Sequence, residues 1–319
     1  MNYLSTKPQA HGHTEEQWQA RVDLAAAHRC AVMHNLHEGI FNHLTFRVPG
    51  HKDRYYQIPF GLHWSEVNAS CFMEVDYDGV VQVGEGIVER SAYCIHAPMH
   101  KKMKNANAVF HTHMPFASAL TRLEDQHIQP IGQTELGTQM RTGYDETYDG
   151  PGLDPAEGER LAKICGNNTV LLMANHGALT LGDTVAEAYD RLYYLERVAQ
   201  VQLYAMWTGR PLRKLPEPII EKTYKTYGNN KMLYGGKKNA EWHFDALKRI
   251  LDRKAVGKKK PRSIEIEKRE GNQTRWPPPC RLWRCCWRAA WSRRRAGTMA
   301  PGETTSSIWF GAARERRTS

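Results

Sequence analysis

The chain has 319 residues, 41% of them apolar and 24% charged, enough for one large domain or two modest ones with a buried core. It has no apolar run of about 18 residues, which excludes a membrane-spanning helix. The opening MNYLSTKPQAHGH lacks the basic start and apolar stretch of a secretory leader. A net charge of +10 suggests a nucleic-acid partner until it is mapped: 16 Lys+Arg against 5 Asp+Glu lie from residue 257 onward, whereas residues 1–256 hold 28 against 29. The basicity belongs to the tail.

Residues 14–38 read as a helix, with Thr14 and Gln17 forming a capping box and Gly39 placed as its stop. Short strands are predicted over 43–48, 55–58, 72–75 and 80–83, separated by Pro49-Gly50, Pro59-Phe60-Gly61 and the hairpin turn Asp78-Gly79. A helix over 91–104, a strand over 108–113 and a short helix from Pro115 to about Leu123 follow. Asp154-Pro155 starts a helix to Cys165. Thr169–Ala174 is a continuous apolar run of strand length, with Ala178–Leu181 as its hairpin partner. Thr184 caps a long helix to about Trp207, closed by Gly209 and Pro211. With no regular βαβ alternation, this order predicts a largely antiparallel sheet flanked by helices.

The expected organisation is a flexible segment 1–13, a domain over 14–225, a helical extension over 226–256 and a basic, disordered tail over 257–319. Within the extension, Trp242, Phe244, Leu247, Ile250 and Leu251 form an apolar stripe. Five of the nine tryptophans fall in the tail, mixed with Arg, Pro and Cys without periodicity, so they cannot share one buried face. Such a tail either contacts nucleic acid or an anionic membrane or carries no function, and its lack of patterning favours the latter. Cys30, Cys71, Cys94 and Cys165 are isolated, without CxxC spacing. They fit a reducing compartment, the cytoplasm, better than a disulfide framework. Cys280, Cys285 and Cys286 have no fourth ligand nearby for a metal.

The chemistry concentrates in histidines. In Phe110-His111-Thr112-His113, residues two apart on a strand share a face, so the two imidazoles project together as a clamp for zinc or iron. Alone, H-x-H also describes a polar surface. His176 follows the apolar strand in Asn175-His176-Gly177, where a rigid core hands a side chain to a site or where a turn merely caps its hairpin.

The segments VFHTHMPFASA (109–119) and VLLMANHGALTLG (170–182) resemble the paired signatures of the class II aldolase/adducin family. NHLTFRVPG (42–50), IPFGLHWSEVNA (58–69), VDYDG (75–79) and IHAPMH (95–100) resemble further family segments in the right order, from about residue 20 to about 225. The resemblance implies a three-layer α/β/α fold around a mostly antiparallel sheet, assembled as a homotetramer with sites at subunit contacts. It also implies a divalent metal on His111, His113 and His176, zinc first and iron(II) or manganese as alternatives.

Two departures bear on chemistry. The family's acid/base glutamate, 19 positions before the first metal histidine, falls on Ala92, with Glu85 and Glu89 nearby but unassured as substitutes. The phosphate cradle appears as Asn42-His43-Leu44-Thr45, Phe60-Gly61 and Arg90-Ser91, which suits a planar carboxylate or aromatic ligand better than a sugar phosphate. These substitutions resemble the adducin-like branch. Asn42, His43, Arg47, Phe60, Gly61, Arg90 and Ser91 are the expected substrate-binding residues, Arg47 and Arg90 clamping an acid if they are not surface ion pairs. His96 and His100, one helical turn apart, are expected to supply the general base if they do not simply pack on the sheet. Tyr144 and Tyr148 are candidate proton donors from an adjacent subunit. The sequence therefore predicts a metal-dependent lyase acting on a small non-phosphorylated oxo or hydroxy acid. A non-haem iron(II) oxygenase and a non-catalytic, adducin-like interaction module are the alternatives.

Overall fold

A computed structural model describes residues 12–229 and 233–255. The expectations for the tail and for Cys280, Cys285 and Cys286 lie outside these residues. The chain opens with α1 (Glu15–Met33), whose Thr14 hydroxyl accepts from Gln17 N–H while the Gln17 side chain accepts from Thr14 N–H. That reciprocal box is the one the sequence predicts. The helix stops earlier than Gly39, because Asn35 takes a left-handed conformation (φ 58°). Asn35 N–H then reaches Val32 O and Leu36 N–H reaches Ala31 O, which satisfies the carbonyls the last turn leaves open.

Four strands follow, β1 (His43–Arg47), β2 (Arg54–Gln57), β3 (Met73–Asp76) and β4 (Val81–Val83), then α2 (Arg90–Lys102), β5 (Ala108–Thr112) and α3 (Pro115–Leu120). The second half holds α4 (Gln133–Gln139), β6 (Thr142–Asp145), α5 (Pro155–Cys165), β7 (Val170–Met173), β8 (Ala178–Gly182) and α6 (Val185–Trp207). It closes with α7 (Glu217–Asn229), a small hairpin of β9 (Leu233–Tyr234) and β10 (Lys237–Lys238), and α8 (Asn239–Ala255). Strands β1–β8 form one sheet in the order β4-β3-β2-β1-β5-β8-β7-β6. Every neighbouring pair is antiparallel except β6 and β7.

That exception is a single βαβ unit of β6, α5 and β7, with Thr142 opposite Val170 and Asp145 opposite Met173, in a sheet otherwise as antiparallel as expected. In β6 the strand formers Thr142 and Tyr144 are each followed by a poor one, Gly143 and Asp145, which hides it from pattern reading. A bidentate pair from Arg160 on α5 to Asp145 at 2.6 and 2.8 Å ties helix to strand.

Residues of one strand alternate between two cores. Phe110, Val170, Leu172 and Ala178 pack with α1, α3, α6 and α8, whereas Val109, Leu171, Leu179 and Leu181 pack with α2 and α5. This is the predicted three-layer α/β/α arrangement. It explains why the β7 region is apolar throughout: a central strand covered on both faces has no polar side. Phe244, Leu247 and Leu251 of α8 join the first core. Helix α2 carries Pro98, which leaves the carbonyl of Cys94 without its intrahelical donor. Gly158 of α5 fits against that spot, since a Cβ there would lie 2.2 Å from Cys94 O and 2.8 Å from Pro98 Cγ. No described helix is long and apolar enough to cross a membrane.

Candidate metal centre

Three neighbouring segments converge at one end of the sheet. His43 opens β1 directly opposite His111 near the end of β5, and β5 pairs with β8, which follows the hairpin turn holding His176. Asn175 makes that turn at φ 55°, its N–H bonded to Thr121 O. Gly177 is required behind the cluster: a Cβ there would fall 2.6 Å from His113 Cδ2 and 2.7 Å from Thr112 O. His111, His113 and His176 each direct a ring nitrogen into a space where all these atoms lie within 4.8 Å of one another.

The tautomers follow from the partners. His111 Nδ1 donates to Ala178 O at 3.1 Å, and His113 Nδ1 donates to Glu38 Oε2 at 2.5 Å. Both rings therefore present bare Nε2 lone pairs, 3.1 Å apart. Two nitrogens bound at about 2.0–2.1 Å to one tetrahedral ion lie about 3.3 Å apart, so the donor set fits a divalent metal. The Glu38 carboxylate and Ala178 carbonyl supply the outer hydrogen bonds that orient metal-binding imidazoles. Asn42, left-handed at φ 72°, holds the second histidine by accepting from His113 N–H through Oδ1 at 3.0 Å. Burial pushes all three pKa values down, His176 to about 4, so the rings are neutral at pH 7, the form that binds metal.

Beside the cluster stands a carboxylate. Glu89 is the N-cap of α2, and its Oε2 accepts from Ala92 N–H (2.6 Å), Ser91 hydroxyl (2.7 Å) and His43 Nε2–H (2.7 Å). Burial alone would raise its pKa, but the bonds from His43, Ser91 and Ala92 outweigh it and hold the carboxyl down to about 2. The His43 ring stacks on His111 at a centroid distance of 5.9 Å, linking carboxylate and cluster. Ala92, where the resemblance puts the acid/base residue, is fully buried. Glu89 lies one helical turn before it, on the same face. Ile40, Ile58, Pro59 and Phe60 line the cleft with His43 and Glu89, and Phe60 packs on Phe41 with both rings exposed.

The other expected residues scatter. Gly61 makes an exposed turn at φ 91°. Arg90 donates to Leu153 O at 3.0 Å and Ser91 serves Glu89, so neither is a free substrate clamp. Arg47 is four residues beyond His43 along β1, about 13 Å away at strand rise, out of reach of a small ligand on the histidines. His96 and His100 are not open to a ligand either: both are fully buried, and Thr45 Oγ1 sits 2.7 Å from His96 Nδ1 and 2.8 Å from His100 Nε2. With His100 Nδ1 donating to Ala106 O, the Thr45 hydroxyl donates to His100 and accepts from His96. Of the two sequence readings, a general base or a pair packed on the sheet, the fold shows the second, an internal hydrogen-bonded strut. Tyr144 is likewise structural, its oxygen accepting from Ile128 N–H, whereas Tyr148 comes within 6.1 Å of the His176 ring in the same chain. Glu38 and Arg122, which donates to His176 O at 2.6 Å, carried no sequence signal. Their roles depend on contacts across the fold.

This fold and this donor set define a class II aldolase-type protein. Residues 22–203 match the class II aldolase and adducin N-terminal domain, and the chain belongs to that family. It is 30% identical, over 76% of its length and 93% of the relative's, to a Caulobacter vibrioides protein provisionally named an aldolase class 2 protein. It is 26% identical to the Streptomyces niveus decarboxylase NovR, over 67% and 78% of the two chains. The crystal structure of an aldolase II superfamily protein from Pseudomonas syringae superposes with a TM-score of 0.68 at 32% identity, covering 76% of this chain and 95% of that one.

Proposed function

We propose that the protein is a metal-dependent lyase that breaks a C–C bond, by aldol cleavage or decarboxylation, in a small non-phosphorylated oxo or hydroxy acid. One observation carries the reading: three histidine nitrogens converge with two rings fixed as Nε2 donors, and an ionised carboxylate is joined to them through His43. His111, His113 and His176 would hold zinc, or iron(II) or manganese. A metal there supplies Lewis acidity for the charge that develops on oxygen as the bond breaks. Glu89 takes the proton role that Ala92 cannot. Its Oε2 accepts from three donors that keep the carboxyl ionised, while Oε1 has no hydrogen bond among the described residues and is the oxygen that would meet a substrate proton. His43 fixes that carboxylate, and Ile58, Pro59 and Phe60 give the cleft beside it an apolar wall. The bulk of Phe60 where the family keeps a small residue supports a substrate without a phosphate. The decarboxylase relative supports loss of CO2 as the variant to test first.

The isolated spacing of Cys30, Cys71, Cys94 and Cys165 supports a reducing, cytoplasmic setting, and the family likeness supports a homotetramer. The test pairs metal analysis of the full chain with turnover of a panel of 2-oxo, 3-oxo and hydroxy acids. The proposal requires about one metal per chain and C–C cleavage. Iron with dioxygen consumption would favour the oxygenase, and neither metal nor turnover after reconstitution would favour the interaction module.

A further inference from the structure

A second cavity, of about 490 Å³, opens at the opposite end of β1 from the histidines. Arg47 lines it together with His51, Lys52, Tyr77, Lys101 and Asn107. The Arg47 guanidinium is half-buried and held only by neutral groups, Asn107 Oδ1 at 3.3 Å, Met103 O at 3.4 Å and the Tyr77 hydroxyl, and its Nε is buried with no hydrogen-bond partner. Among the described residues no carboxylate pairs with Arg47, Lys52 or Lys101, although the neighbouring Lys102 and Arg54 are both paired. Glu16 on the cavity rim also lacks an ion pair, which leaves the charged lining at three cations to one anion.

Holding a guanidinium half out of water without a counter-charge costs stability, and an anion supplied from outside offsets that cost. The planar guanidinium fork matches a phosphate or carboxylate edge, and two exposed lysines at the mouth draw in negative charge. Cavities of roughly 300–1,000 Å³ hold whole small molecules rather than single ions. We propose that this cavity binds a small organic phosphate, its dianion on Arg47 between Lys52 and Lys101, its hydroxyl-bearing end toward Glu16. This site is separate from the metal centre and does not rest on the reaction proposed there.

Inorganic phosphate is the probe, followed by titration calorimetry on the full chain at low salt, with glycerol phosphate as the organic form. The basic tail is the same in every variant, so differences between variants isolate the cavity. Arg47→Gln should weaken the single saturable site about tenfold or more, and Lys52→Gln with Lys101→Gln about tenfold together. His176→Ala should leave binding unchanged, and glycerol phosphate should bind more tightly than phosphate. No saturable site, binding unaffected by Arg47→Gln, or binding lost in His176→Ala would each overturn the proposal. Should Arg47→Gln fail to fold by circular dichroism, the exposed double lysine variant decides, and unchanged affinity there would overturn it too.

Discussion

Glu89 Oε2 lies 2.7 Å from His43 Nε2, and His43 in turn faces His111 across the β1–β5 pair. A carboxylate from a helix N-cap is thereby joined through one imidazole to the strand that carries His111. Glu89→Gln should keep the metal but lower turnover by about 10²-fold or more, as loss of a positioned proton carrier does. Unchanged turnover with full metal content would remove Glu89 from the mechanism.

His113→Ala and His176→Ala each delete one of the three proposed ligands without cutting into either core. Both variants should lose most bound metal while keeping the wild-type circular dichroism spectrum. Metal analysis after dialysis checks the first part, and retention of stoichiometric metal in both would refute the cluster.

Gly177→Ala tests the cradle from behind. Its new methyl would press on His113 Cδ2 and the Thr112 carbonyl, moving a ligand rather than removing one. Metal affinity should fall about 10–100-fold, the range typical for disturbed outer contacts, as read by competition with a chelator.

The interior histidines predict a pH profile. Burial lowers His28 to about 4 and His100 to about 3. In the unfolded chain both would protonate near pH 6.5, so between that value and pH 4 the unfolded state binds more protons and stability falls as pH falls. His28 alone contributes about 3 kcal/mol of this loss. Urea unfolding at pH 7 and pH 5 should show a lower midpoint at pH 5, with a smaller difference in His28→Asn.

Asn35 ends α1 at φ 58° and makes its own prediction. Asn35→Gly should be nearly neutral, whereas Asn35→Ala should cost about 1 kcal/mol, because a Cβ without a local hydrogen bond disfavours that conformation. Thermal unfolding distinguishes the two.

Local signals were readable where the physics is local. The Thr14 box, the Asp154-Pro155 start, the Thr184 cap and the alternation that brings His111 and His113 to one face each depend on a few consecutive residues. The family likeness supplied what spacing could not, namely that His176 joins them. The misses share one cause. Whether Glu89 or Ala92 meets the cleft depends on where α2 is capped, and whether Arg47 or His43 does depends on which end of β1 holds the site. His96 and His100 looked like a catalytic pair because helical spacing shows that they share a face, not that Thr45 already occupies it.

Pro98 and Gly158 give this fold a contact whose effect is felt at a distance. Because a proline-freed carbonyl meets a residue with no side chain, α5 can settle against α2 in very few positions. Glu89 sits at the leading end of that same α2, two turns from the contact. The aim of the proposed proton carrier is thus gauged from the rear of the sheet, and substitutions at Gly158, far from any ligand, should retune the reaction before they unfold the protein.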